Sequence, residues 1–180
     1  AQFNLALIYI NGKYCQPDIN KAIHYYTLAA NQNHSHAQFN LGLIYCKGKY
    51  VHKDINKGIY LFNKSSNNRC IRAHFALGCL YHDGKYLKKD MDKAISLYKE
   101  ASSFNHQYAK NNLGIIYKNG FFDKINKNIE LSIEYFKEAI NQSEDMVAMY
   151  NLANIFLYKN NMKNNINKSI ELLIKSSNKG

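Results

Sequence analysis

Tryptophan is absent from this chain of 180 residues, proline occurs once and glycine nine times. So little proline excludes Pro-rich linkers, and so few turn formers argue against a turn-dense β-fold. No run of 18 apolar residues exists, so no segment reads as a membrane span and no membrane insertion is expected. Cysteine is sparse and unpatterned: Cys15, Cys46, Cys70 and Cys79 show no C-x-x-C spacing and no common period. A disulfide framework would recur with the fold, so free thiols in a reducing compartment are expected, and the location read from this is cytoplasmic. A lumenal or secreted location is the lesser alternative. It rests on N-x-S sequons at Asn33, Asn63, Asn141 and Asn167, in a sequence where Asn and Ser are common anyway.

Motifs for chemistry are missing as well. There is no nucleophile elbow, P-loop, dinucleotide fingerprint or zinc-hydrolase pattern, so the chain reads as a non-enzyme with no catalytic residue and no cofactor. Seven histidines include one close pair, His34 and His36, with no third ligand at a repeating distance, which argues against a metal site. Acidic residues number 13 against 24 Lys and Arg, a net charge of +11. That charge eases contact with nucleic acid, anionic membranes or acidic proteins without choosing among them.

What the chain does have is a period. Ala1, Ala37, Ala73, Ala109 and Ala148 each open a similar stretch, at spacings of 36, 36, 36 and 39. Four residues after each Ala comes Leu5, Leu41, Leu77, Leu113 or Leu152, followed by a small residue, Ala6, Gly42, Gly78, Gly114 or Ala153. Eight residues after the Ala comes Tyr9, Tyr45, Tyr81, Tyr117 or Phe156. These intervals share one face of an α-helix, and Gly12, Gly48, Gly84 and Gly120 then end it. A second helix begins at Asp18, Asp54 and Asp90, less cleanly at Asn128 and Asn165, and each carries a small residue near its start. These second helices close on small residues such as Ala29-Ala30 and Ser65-Ser66. Extra residues near Phe121–Lys127 predict a longer, irregular turn in the fourth unit, and the fifth lacks the closing Gly.

Each helix pair leaves an apolar face that only a neighbouring pair can cover, so the fold expected is all-α, five stacked pairs with no sheet. The boundaries read from the sequence are 1–36, 37–72, 73–108, 109–147 and 148–180, one array. It opens inside a first helix, so it is read as a segment of a longer chain, or as one whose ends self-associate end to end.

The pattern A-x-x-x-L-G-x-x-Y-x-x-G, a short turn, D-x-x-K-A and a closing small pair resembles the Sel-one-like repeat, a relative of the tetratricopeptide repeat, over essentially all 180 residues. The resemblance implies a right-handed α-α superhelix, first helices lining the concave face and second helices the convex one. It also implies scaffold or adaptor work, in some chains beside a catalytic domain; a regulatory array attached to an enzyme domain outside this segment is the weakest of the readings kept. Family members with cysteine-linked helix pairs carry paired Cys at the repeat junction. Here the junction AANQNHSHAQ has none, so that property does not transfer.

The first-helix columns outside the Leu/Tyr face are the candidate site. They comprise Asn4, Phe39, Asn40, Leu43, Phe75, Cys79, Asn111, Asn112, Ile115, Tyr150 and Asn151. Asn amides can hold an extended backbone by donating and accepting at once, while Phe and Leu offer seats for apolar anchors. The competing reading is that Asn is common here and that the Phe residues pack between repeats. On the groove reading the partner is a protein or peptide segment. The alternative is a basic edge formed by Lys13, Lys49 and Lys85 in the turns and Lys21, Lys57 and Lys93 on the second helices. Such an edge could engage RNA phosphates, or be a solvated rim that keeps the array soluble. The Asn column hardly varies, which makes it a poor code for bases.

Overall fold

The computed structural model describes residues 1–12, 14–120, 126–158 and 163–178. Among the described residues there are ten α-helices and no strand: α1 (Gln2–Asn11), α2 (Ile19–Asn31), α3 (Ser35–Lys47), α4 (Ile55–Asn67), α5 (Ile71–Asp83), α6 (Met91–Ser103), α7 (Gln107–Asn119), α8 (Ile129–Ser143), α9 (Met146–Tyr158) and α10 (Lys163–Ser177). The chain forms two compact units, Ala1–Leu97 and Tyr98–Gly180, with the division inside α6.

Local chemistry sets where helices start. Asp18, Asp54 and Asn128 lie one residue ahead of α2, α4 and α8, and each side-chain oxygen accepts the N–H three residues on, at 2.9 Å. Asp90 does the same for Lys93 at 3.1 Å. This satisfies one of the free donors of a helix start. Lys163 opens α10, upstream of Asn165, so the sequence reading of that start is corrected. First helices α3, α5, α7 and α9 also start earlier than their leading Ala, whereas α1 starts just after Ala1. His34 and His106 accept from Ala37 N–H and Ala109 N–H through Nδ1, and Asp145 accepts from Ala148 N–H.

Helix ends are equally local. Gly12, Gly48 and Gly84 take φ of 64°, 64° and 73°, and the N–H of each donates to the carbonyl four residues back. A side chain at Gly48 would also put its Cβ 2.5 Å from Lys53 Cβ, so the turn needs glycine on two counts. The chain then reverses, and the N–H of the next cap returns to the column tyrosine: Asp18 to Tyr9 O, Asp54 to Tyr45 O and Asp90 to Tyr81 O, all 3.0 Å. The extra residues of the fourth unit at 121–125 lie outside the described residues.

Second helices end differently. Asn33, Arg69 and Asn105 sit at φ of 61°, 59° and 63°, and the next N–H bonds back to Ala29, Ser65 or Ala101. The small closing pairs therefore supply the carbonyls on which the turn into the next repeat is built.

Small residues on facing helices let the two members of a pair touch backbone to backbone. A Cβ on Gly58 of α4 would meet Cys46 Sγ and lie 3.0 Å from Gly42 O of α3. In the second unit the matching contact is a hydrogen bond, from Ser132 Oγ to Gly114 O at 2.7 Å and from Ser169 Oγ to Ala153 O at 3.0 Å. Leu41, Leu77, Leu113 and Leu152 are buried to within a few percent, as the Leu column requires. Each such burial contributes about 2 kcal/mol relative to an exposed side chain. Leu5 of α1 is 37% exposed.

The Tyr column is less covered than the Leu column beside it. Tyr9, Tyr45, Tyr81 and Tyr117 are half-buried. One face packs inward, with Tyr9 stacked on Tyr25 and Tyr117 on Tyr135 at centroid separations of 5.7 and 5.8 Å. A lysine lies over each of the four rings.

Between pairs, each second helix packs on the next first helix within its unit, α2 on α3, α4 on α5 and α8 on α9. Gln38, fully buried, binds across one such junction: its Nε2 donates to Ala30 O at 3.0 Å while its Oε1 accepts from Asn68 Nδ2 at 3.0 Å.

Candidate functional site

Burial sorts the candidate column into two groups. Phe39 is only 5% exposed, its ring 5.5 Å from Phe62 on one side and under the Arg72 guanidinium at 4.6 Å on the other. It packs with Cys70, Ala73 and Leu77, so it belongs to the junction core and offers no pocket to a ligand. Asn111 holds the same position two repeats later and is buried too, its Oδ1 without a hydrogen-bond partner. Asn151 is buried, donating to Val147 O at 3.0 Å and accepting from Lys118 Nζ at 3.1 Å. All three are buried, Phe39 against Phe62 and Arg72, and Asn151 through bonds to its own helix and to Lys118 of the preceding first helix.

The others remain accessible. Asn4 and Tyr150 are exposed; Asn40, Leu43, Phe75, Cys79, Asn112 and Ile115 are half-buried. Ile115 packs partly on the core around Phe136 and Leu152. Asn40 donates Nδ2 to the hydroxyl of Tyr26 at 3.2 Å. Tyr26 itself is 1% exposed, and that burial pushes its phenol above the ordinary tyrosine range, opposed by the Asn40 hydrogen bond and the charge of Arg72. Of the Asn column, Asn4, Asn40 and Asn112 remain accessible, Asn40 with its amide bonded to Tyr26.

Two concavities occupy the same register of the repeat, one in each unit. The first, about 360 Å³, lies between α1 and α3 and is lined by Leu7, Ile10, Asn11, Tyr26, Asn40, Leu43, Ile44, Lys47, Lys49 and Tyr50. The second, about 740 Å³, lies between α7 and α9 beside the start of α8, lined by Lys118, Asn119, Lys127, Ile129, Glu130, Tyr150, Asn154 and Ile155. Both are within the size range of sites that seat a small ligand or a few side chains. Of the residues named from the sequence, Asn40, Leu43 and Lys49 meet in the first and Tyr150 lies in the second. Tyr26, Ile10, Ile44 and Lys47 were missed. Tyr26 sits on a second helix and reaches the floor from beneath, which a first-helix column cannot show.

The basic edge is more committed than its sequence suggests. Lys57 Nζ lies 4.0 Å from the Tyr45 ring centroid and donates to its hydroxyl at 2.8 Å. Lys21 lies over Tyr9 at 5.3 Å and pairs with Asp18 at 3.4 Å; Lys93 lies over Tyr81 at 5.2 Å and pairs with Asp90 at 3.6 Å. These lysines stack on the column tyrosines and meet the helix caps, interactions available without any ligand. In the turns, Lys49 lies over Tyr50 at 5.0 Å and Lys85 over Tyr86 at 5.3 Å. Lys13 lies outside the described residues.

Other candidate chemistry is thin. All four cysteines are free; Cys15 is exposed, Cys70 buried, and burial raises the Cys46 thiol above its ordinary value. The rings of His34 and His36 are 6.0 Å apart, with His34 Nδ1 engaged as a helix cap. No group of three potential metal ligands occurs among the described residues, and no described helix is long and apolar enough to cross a membrane.

Helix pairs repeated in register, each closed on its neighbour by small residues, place the chain among the all-α helical-repeat solenoids. The Sel1 repeat family matches residues 1–34, 35–69, 71–103, 107–144 and 147–180, and the chain belongs to that family. A Sel1 repeat protein from Oxalobacter formigenes is similar over 99% of this chain and 72% of its own, with 26% identity and a TM-score of 0.89. The protective antigen c5321 of uropathogenic Escherichia coli, which displays the same fold, is 23% identical with a TM-score of 0.88. It covers 99% of this chain, which spans 38% of that protein. Immunity protein Pa5087 from Pseudomonas aeruginosa shares the fold at 19% identity and a TM-score of 0.59, covering 98% of this chain and 65% of its own. A search of the curated proteins finds no match. Sel1 repeats form a non-catalytic scaffold fold, and proteins built from them generally act in protein–protein interaction.

Proposed function

We propose that this chain is an adaptor that holds a peptide segment of a partner protein against its first helices. The observation that carries the reading is the α1–α3 concavity, where the apolar floor of Leu7, Ile10, Leu43 and Ile44 is ringed by Asn and Lys side chains. An apolar floor supplies affinity through burial and a polar rim supplies orientation. The floor is built by packed helices and needs little ordering when a segment enters, so little entropy on this side opposes binding.

A photo-crosslinking residue placed at Leu43 tests this, compared with one at the exposed Lys64 of α4. The expected outcome is partner peptide attached at position 43 and mapped by mass spectrometry, with none at 64. Equal labelling at both positions, or labelling abolished by nuclease, would remove the groove as the site.

A further inference from the structure

We infer that the α1–α3 concavity selects an acidic segment with an apolar anchor, a peptide in which Leu-like side chains are flanked by Asp or Glu. The inference rests on the groove reading above and adds the chemistry of its occupant.

Charge is the first observation. Residues 1–82 contain nine Lys and Arg but only two acidic residues, Asp18 and Asp54. Both carboxylates cap second helices and accept a backbone N–H at 2.9 Å, and neither lines the concavity. Among the described residues no acidic side chain lines it, while Lys47 and Lys49 stand exposed on its rim. The low-dielectric floor beside them weakens screening of a charge brought to that rim.

Register is the second observation. The position of Lys47 in its repeat is held by Asn11 in the first, Asp83 in the third and Asn119 in the fourth. A rim lysine there is peculiar to this junction and is not a property of the repeat. The α7–α9 concavity differs in kind, since Glu130 lines it and Lys118 is held by Asn151.

The third observation is how the amides are used. Asn40 gives one of its two Nδ2 protons to the Tyr26 hydroxyl, and its carbonyl oxygen and second Nδ2 proton are left for an incoming segment. An accepting Asn40 suits a backbone N–H of an incoming segment, and exposed Asn11 stands on the same rim. Apolar floor, accepting amide and two cations together describe an extended peptide with carboxylates beside its anchor. A nucleic-acid strand would bring phosphates to the lysines and leave the Leu/Ile floor empty.

Fluorescence anisotropy with labelled ten-residue peptides tests the inference on the full chain. Two leucines are flanked by Asp/Glu, by Ser or by Lys, and a fourth peptide keeps the acidic residues without leucine. The acidic leucine peptide is expected to bind best, with affinity falling as salt rises. The double substitution Lys47→Glu with Lys49→Glu should weaken it by about tenfold and shift preference to the Lys-flanked peptide. Leu43→Asp should abolish binding of both, with helical circular dichroism and melting temperature confirming that each variant is folded. Equal binding of Ser- and Asp-flanked peptides, unmoved by charge reversal, would overturn the acidic inference and leave the groove reading intact. Acidic binding that survives Leu43→Asp, or displacement by a twelve-residue oligouridylate, would overturn it as well. Failure of every peptide to bind the folded wild-type chain would overturn both readings.

Discussion

Asn40 of α3 donates its amide to the hydroxyl of Tyr26 of α2, 3.2 Å away across the junction between the first two repeats. Two repeats on, Tyr98 holds the register of Tyr26 and Asn112 that of Asn40, whereas Phe62, which has no hydroxyl, is matched by Ala76 and Phe136 by Asn151. The Asn40 amide thus already serves the preceding second helix.

Removing one partner should therefore cost more than removing both. Asn40→Ala leaves the buried Tyr26 hydroxyl unpaired and is expected to destabilise the N-terminal unit by about 1–2 kcal/mol. Tyr26→Phe in the same chain recreates the Phe62/Ala76 arrangement and should recover most of that loss. Urea denaturation of the four members of the double-mutant cycle reads the coupling. Additive losses would contradict the pairing.

The Gly42–Gly58 contact predicts intolerance to a single methyl group. Gly58→Ala brings its Cβ into Cys46 Sγ and to 3.0 Å from Gly42 O, and should destabilise by about 1–3 kcal/mol despite the higher helix propensity of Ala. Cys46→Ala, which removes the sulfur, should recover part of the loss. A thermal melt of Gly58→Ala at or above the wild-type midpoint would refute the close approach.

Arg69 stands at φ 59° where its counterparts in two other turns are Asn33 and Asn105. A side chain in this region costs about 1–2 kcal/mol, and Gly escapes the penalty. Arg69→Gly is expected to raise the urea midpoint, an increase of up to about 1 kcal/mol after the extra chain entropy of Gly is counted. A fall would mean that Arg69 makes a stabilising contact greater than its strain.

The helix caps predict a pH dependence. Asp18 is held below the ordinary carboxylate value chiefly by the Lys21 N–H, and Asp90 by the Lys93 N–H. For an acid whose folded pKa is depressed, the stabilisation is present above the unfolded value near 4 and lost as pH falls through the folded one. The melting temperature should drop from about pH 5 downward. Asp18→Asn with Asp90→Asn, which keeps a capping oxygen that does not titrate, should flatten that slope. An unchanged slope would assign the acid sensitivity to other carboxylates.

The sequence by itself determined the features that one helix pair can express alone. The 36-residue period, the Asp caps, the left-handed glycines and the small residues on facing helices all depend on neighbours within a few dozen residues. The same local chemistry yields the helix boundaries, apart from the start of α10, which precedes Asn165, and the starts of α3, α5, α7 and α9, which precede their leading Ala. Which column residues stay open was decided only by the tertiary structure. Phe39 and Phe75 share a column, yet Phe39 is sealed between Phe62 and Arg72 while Phe75 is half-buried, because closure depends on what the next repeat places above each ring. Likewise Lys57 reads as a free surface charge until Tyr45 is found beneath it. Lys49 and Asn40 read as parts of two rival sites, and the packing of α1 beside α3 puts both on the wall of one concavity. The physical reason is that a repeat fixes the direction of each side chain, whereas burial, pairing and enclosure belong to the junction between repeats.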